Sequence, residues 1–246
     1  DKMKELLYLS NWRRGIAILD VSKRDDPIPL GSADCDCVDL HPVGNDGPYG
    51  MSSGLCLRGN FLFGATMDYV TSRNLGALYV YDVSDPSNPK KVTKIPTPDF
   101  RAHGMDSKGN YVFAVGAHGV LSFDISIPED PMIVGELKTG NHFLVSAKLA
   151  DDFLFAVGVI HSSVEHNGIL DVIDISNPLH PRLIGEIVLP LSFFGDSITI
   201  DNEIAYVVCD SGVAIVDIGR PESPRLLTAR NAPEGKWNSG IHVYDI

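Results

Sequence analysis

Positive charge is scarce in this sequence: 20 Lys and Arg stand against 32 Asp and Glu, a net charge of −12. Nucleic acid and anionic membrane surfaces both need clustered basic residues, so neither is expected as a partner. Long apolar runs are also missing, and with none near the roughly 20 residues of a spanning helix, no membrane span is expected. The chain holds only four cysteines. That is too few for a disulfide scaffold at this size, and Cys35 and Cys37 sit too close together for an easy mutual bridge. Nothing resembles a nucleophile elbow, a glycine-rich phosphate loop opening a helix, or much of a helix at all. The chain opens at Asp1 without Met or an apolar leader, which leaves a removed signal and a trimmed start equally open.

What the sequence has in quantity is Gly and Pro, 23 and 16 of them, and they recur in register. Tyr81-Asp82-Val83-Ser84-Asp85-Pro86-Ser87-Asn88-Pro89 returns at Phe123-Asp124-Ile125-Ser126, Ile173-Asp174-Ile175-Ser176, Val216-Asp217-Ile218-Gly219 and Leu19-Asp20-Val21-Ser22. Counting from each Asp, the seventh residue is always proline (Pro27, Pro89, Pro131, Pro181, Pro224). The fourth is proline in every copy but the first. Each copy reads as an alternating apolar strand running into a proline-clamped corner. There the Asp accepts hydrogen bonds from the backbone just beyond it, and the prolines fix φ and remove donors.

The spacing of these Asp residues suits a unit of four short strands. Hairpins align at Arg58-Gly59-Asn60-Phe61, Lys108-Gly109-Asn110-Tyr111, Ala150-Asp151-Asp152-Phe153 and Asp201-Asn202-Glu203-Ile204, with turn formers at their centres. Second strands are expected over 61–65, 111–115, 153–157 and 204–208, as apolar runs covered on both faces. Fourth strands follow the prolines over 90–96, 132–138, 182–188 and 225–229. The chain ends on what reads as an inner strand, 239–246, and begins at 6–9 on what reads as a second strand. Joining the ends completes a fifth unit. The expected fold is all-β: a single-domain five-bladed β-propeller of four-stranded blades over 1–246. Its first blade combines 1–33 with 238–246, and ring closure leaves only short edges.

The third-strand runs Leu78-Tyr79-Val80-Tyr81-Asp82, Leu170-Asp171-Val172-Ile173-Asp174 and Val213-Ala214-Ile215-Val216-Asp217 resemble the LVIVD-repeat proteins. The resemblance extends over essentially the whole chain. It implies a propeller, an exported or surface-associated location, and little chemistry. Two units depart from the plain repeat by insertions at 34–52 and 66–76.

In such a blade the loops before the inner strand and those between the second and third strands share one face, where function concentrates. Six of the eight histidines fall there: His41, His103, His118, His142, His161 and His166. Aligned by their hairpins, the inner strands stack Met51, Arg101, Phe143, Phe194 and Trp237 at the channel mouth. Two residues further in stand Ser53, His103, Val145, Asp196 and Ser239. Large apolar groups above a few ionisable ones describe a ligand pocket, with His118, Asp68 and Tyr69 on the same face. Wedging of these side chains between blades is the structural alternative. His103 and Asp196 suit an acid/base pair beside His142. Cys35, Cys37, Asp39 and His41 would share one side of an extended insertion and carry zinc-type donors, against the plainer reading of free cysteines packed beneath a loop. Cys56 and Cys209 suit small apolar roles in strands.

The sequence therefore favours a binding module for a small molecule, glycan or protein segment, using the His-rich face and the channel mouth. The alternative is an enzyme, a hydrolase, lyase or isomerase, with a divalent metal as the cofactor its residues allow. A surface-array protein without a pocket is a third reading.

Overall fold

The computed structural model describes residues 5–11, 15–35, 51–66, 75–161, 166–192, 195–209 and 212–231, and every element among them is a β-strand. No helix among the described residues is long and apolar enough to cross a membrane. The chain forms two compact units, one of residues 1–103 with 125–132 and one of 104–124 with 133–246.

In the first unit, β1 (Leu6–Asn11), β2 (Gly15–Asp20) and β3 (Ile28–Ala33) form an antiparallel three-stranded sheet in chain order. A four-stranded sheet follows from β4 (Met51–Arg58), β5 (Phe61–Thr66), β6 (Leu75–Asp82) and β7 (Lys90–Pro98). Ile16, Ile18, Leu62, Tyr79 and Tyr81 pack into one buried cluster that also takes in Cys35. Removing each such large side chain from water is worth about 1.5–3 kcal/mol.

The second unit holds most of a six-stranded sheet, ordered from β8 (Ala102–Lys108) through β9 (Tyr111–Asp124), β10 (Met132–Ala150), β11 (Phe153–His161) and β12 (His166–Asp174) to β13 (Arg182–Ser192). It also holds a four-stranded sheet of β14 (Gly195–Asp201), β15 (Ile204–Cys209), β16 (Gly212–Asp217) and β17 (Arg225–Asn231). Both faces of its central strands are covered. Along β12, Leu170 and Val172 belong to one apolar cluster, while Ile169 and Ile173 belong to another.

The repeated corner is built as its residues dictate. The backbone N–H of Ser22, Ser84, Ser176 and Gly219 donates to Oδ1 of Asp20, Asp82, Asp174 and Asp217 at 2.9–3.1 Å. The residue after the Asp ties the corner to its own hairpin: Val83 N–H donates to Asn60 O, Ile175 to Asp152 O and Ile218 to Glu203 O. At the hairpins Arg58 pairs with Phe61, Ala150 with Phe153 and Asp201 with Ile204, leaving two-residue turns. Their first residues, Gly59, Asp151 and Asn202, lie at φ 52–55, where Gly, Asn and Asp are best tolerated.

Outer strands carry a glycine four residues past the seventh-position proline in three copies. A Cβ on Gly31, Gly135 or Gly185 would lie 2.2–2.5 Å from the carbonyl oxygen of Pro86, Pro178 or Pro221, in the corner of the following copy. Backbone packs on backbone there, which only glycine permits.

The described residues make four hydrogen-bonded sheets, where five separate blades were expected. The difference lies in β9 and β10. β9 runs through the positions of both the second and third strands of one repeat, with φ 78 and 130 at His118 and Gly119, so no loop interrupts it. β10 covers the fourth strand of that repeat and the inner strand of the next in 19 residues, which places two repeats in one sheet. The closing strand expected at 239–246 lies outside the described residues, as do most of the insertions 34–52 and 66–76.

Candidate functional site

Strand pairing within the second unit brings acidic side chains together. Asp171 on β12 stands directly opposite Glu186 on β13, and on its other side faces Ala156 of β11. By the period of a strand, Asp171 points to the same face as Ile169 and Ile173, which are buried with Phe113, Val115, Leu144 and Ala156. A carboxylate thus sits in an apolar face with 0 % of it exposed. The backbone of β10 delivers His142 to it. The imidazole Nδ1 lies 2.9 Å from Asp171 Oδ2 and, carrying the proton, donates to it.

Hydrogen bonding to Asp171 holds the His142 imidazole above its ordinary pKa, against the opposing effect of burial. Burial in turn raises the Asp171 carboxyl, with the His142 contact working the other way. Both directions favour keeping a proton on the pair to higher pH than the isolated groups would. Asp171 Oδ1 is buried and has no hydrogen-bond partner among the described residues, a costly state for a carboxylate oxygen. One donor atom each from His142, Asp171 and Glu186 lie within 4.8 Å of one another. Glu186 is exposed and His142 intermediate, so the trio runs from solvent to the buried carboxylate.

The residues expected at a site are distributed differently. His142 is in the trio. Phe143, expected at a pocket rim, is 8 % exposed and packs with Ala117 and Val159. His103 is partly buried, and burial together with the Arg101 guanidinium pushes its pKa down to about 4. His118 is exposed, within β9 at φ 78. Cys35 is buried in the apolar cluster of the first unit, and Cys56 and Cys209 are buried as well. Cys37, Asp39, His41, Asp68, Tyr69, Phe194 and Trp237 lie outside the described residues, as do the side chains of Met51, Asp196, His161 and His166.

Asp171 and Glu186 were not singled out from the sequence, although a signal existed. Three residues before the corner Asp, the other copies carry Ala17, Tyr79, Leu121 and Ala214, and only this copy carries an acid. The position opposite holds Ser32, Lys94 and Ala229 in the copies where the pairing is seen.

The LVIVD-repeat family model matches residues 49–97, 164–188 and 195–229. No curated protein matches the sequence. Among solved structures, a functionally unknown protein from Desulfotomaculum acetoxidans aligns with a TM-score of 0.67 at 12% identity, over 92% of this chain and 67% of that one. A periplasmic gluconolactonase of Pseudomonas aeruginosa aligns with a TM-score of 0.66 at 13% identity, over 94% and 70%. The computationally designed Ika8 protein aligns with a TM-score of 0.54 at 10% identity, over 92% and 56%. At these identities the likeness speaks to fold alone. With the repeated strand, the proline corner and the chain-order sheets, it shows a β-propeller fold that carries LVIVD repeats over the matched segments.

Proposed function

We propose that the chain is a ligand-binding module: a single five-bladed propeller over 1–246, with 238–246 completing the first blade and a binding site at His142 and Asp171. The observation that carries the site is Asp171 Oδ1, buried without a partner among the described residues in a face that the other copies fill with apolar or aromatic side chains. A buried carboxylate oxygen left unsatisfied costs on the order of 1–3 kcal/mol, and such a cost is commonly kept where a ligand offsets it. The five-blade count is supported by the five corner repeats and by the two repeats that share β9 and β10.

Thermal-shift measurements against divalent chlorides, organic acids, amines and sugars test the site. At least one class should raise the melting temperature of the wild type and leave Asp171→Leu unmoved. Equal shifts in both proteins, or none in the wild type, would remove the site from the account.

The His142–Asp171 hydrogen bond supports a second reading. An imidazole oriented by a buried carboxylate is poised as a general base, which suits a hydrolase, lyase or isomerase. Turnover of any substrate class that fell by less than about tenfold on His142→Gln would exclude that role.

A further inference from the structure

We propose that the occupant of this site is a divalent transition-metal ion, held by His142, Asp171 and Glu186. The inference rests on reading Asp171 as part of a binding site, and it names the chemistry that fills it.

Charge carries the first step. Asp171 and Glu186 are direct cross-strand partners, and like charges so placed destabilise a sheet. One of them is wholly buried, where a carboxylate needs a cation or a full set of donors. His142 satisfies Oδ2 and leaves Oδ1 bare. A small cation gripped by both oxygens of Asp171 would relieve both the repulsion and the missing partner.

Geometry carries the second. Ligand atoms bound about 2.0–2.2 Å from a tetrahedral zinc-like ion lie roughly 3.3–3.6 Å apart, and Nδ1 and Oδ2, 2.9 Å apart in their hydrogen bond, need to separate by only about half an ångström to reach that spacing. The exposed Glu186 side chain has the freedom to close the third position from within 4.8 Å. On binding, the Nδ1 proton passes to solvent and its lone pair turns to the ion, so affinity rises with pH. The fold itself does not demand these residues. At the same two positions another copy sets Lys94 Nζ 5.2 Å from the Tyr79 ring, and another pairs Ala214 with Ala229.

Donor chemistry selects the ion. Calcium and magnesium prefer all-oxygen sets, whereas one imidazole with two carboxylates suits zinc, manganese, cobalt or iron. Three protein ligands leave a coordination position for water or for an oxygen of a bound molecule.

The test is calorimetric titration of chelator-treated protein with Zn²⁺, Mn²⁺ and Ca²⁺, each on the wild type, Glu186→Gln and Asp171→Leu. Glu186 is exposed, so its variant keeps the fold whatever Asp171→Leu does. One equivalent of Zn²⁺ or Mn²⁺ should bind the wild type, at least about tenfold more weakly in Glu186→Gln, undetectably in Asp171→Leu, and in preference to Ca²⁺. No binding of either transition ion, or binding indifferent to both substitutions, would overturn the proposal. If the wild type bound no ion but an organic compound gave a shift dependent on Asp171, the metal would fall and the binding module would stand. If no probe depended on Asp171, both would fall.

Discussion

Asp171 and Glu186 occupy opposed positions on β12 and β13, the same pair of positions that hold Tyr79 and Lys94 on β6 and β7. In one copy the pair is self-sufficient: Lys94 Nζ lies over the Tyr79 ring, a contact worth about 0.5–1 kcal/mol at an exposed site. In the other the pair repels itself and buries an oxygen with no partner. One backbone arrangement thus serves structure in one place and invites an occupant in another.

Removing the buried acid should therefore help the empty protein. Replacing the pair together, Asp171→Leu with His142→Phe, should leave stability unchanged or raise it by about 1–3 kcal/mol in chelator. Urea denaturation measures it. A loss of more than about 1 kcal/mol would mean that Asp171 is a satisfied structural group.

Glycines on the outer strands should be intolerant for a reason that does not apply at the hairpins. Gly185→Ala drives a Cβ to 2.2 Å from Pro221 O and should cost about 1–3 kcal/mol. Gly109 has open space around it but φ 56, a region that Asn tolerates. Gly109→Asn should cost less than about 0.5 kcal/mol. Equal losses in the two variants would contradict this account of the corner.

His103 should stay neutral well below the pH at which an ordinary imidazole charges. Burial and the Arg101 guanidinium hold its pKa to about 4. The unfolded chain takes up that proton near its ordinary value, so this group's stabilisation is complete above that value and is lost as pH falls towards 4. In NMR titrations its ring resonances should not shift until acid far below neutrality, whereas those of His142 should move above the ordinary imidazole range. A His103 midpoint near 6.5 would refute the prediction.

Corner aspartates should make the fold acid-sensitive. The Ser176 hydrogen bonds and Arg182 hold Asp174 below the usual carboxylate range. For Asp217, Arg225 and the Gly219 N–H do the same. A depressed carboxyl stabilises the fold above its unfolded pKa, and that contribution disappears as pH falls through the folded value. Asp174→Ala should lower the urea midpoint at neutral pH and match the wild type near about pH 2. A deficit that persisted undiminished in acid would mean that charge is not the cause.

The corner was legible because its signal is local: an Asp, its following N–H and prolines at fixed offsets are enough to specify a turn. Hairpin positions were legible for the same reason, and Gly59, Gly109, Asp151 and Asn202 all take the positive φ their types allow. The sheet count was not, because Tyr111–Asp124 is one continuous strand in which His118 and Gly119 take positive φ where a loop was expected. The site was half legible. His142 stood out by type, but its partner Asp171 is 29 residues away and hidden inside an alternating apolar run. Only aligning the five copies column by column exposes an acid where the others carry none. Phe143 has the type and register of a pocket rim, and the structure packs it against Ala117 and Val159.

Crystals of the chelator-treated protein soaked in Mn²⁺ or Zn²⁺, with anomalous diffraction collected at the metal edge, test the central claim most directly. The account predicts one strong anomalous peak within about 2.0–2.3 Å of a His142 nitrogen and of carboxylate oxygens of Asp171 and Glu186. An empty map at that position, with or without peaks at other histidines, would contradict it.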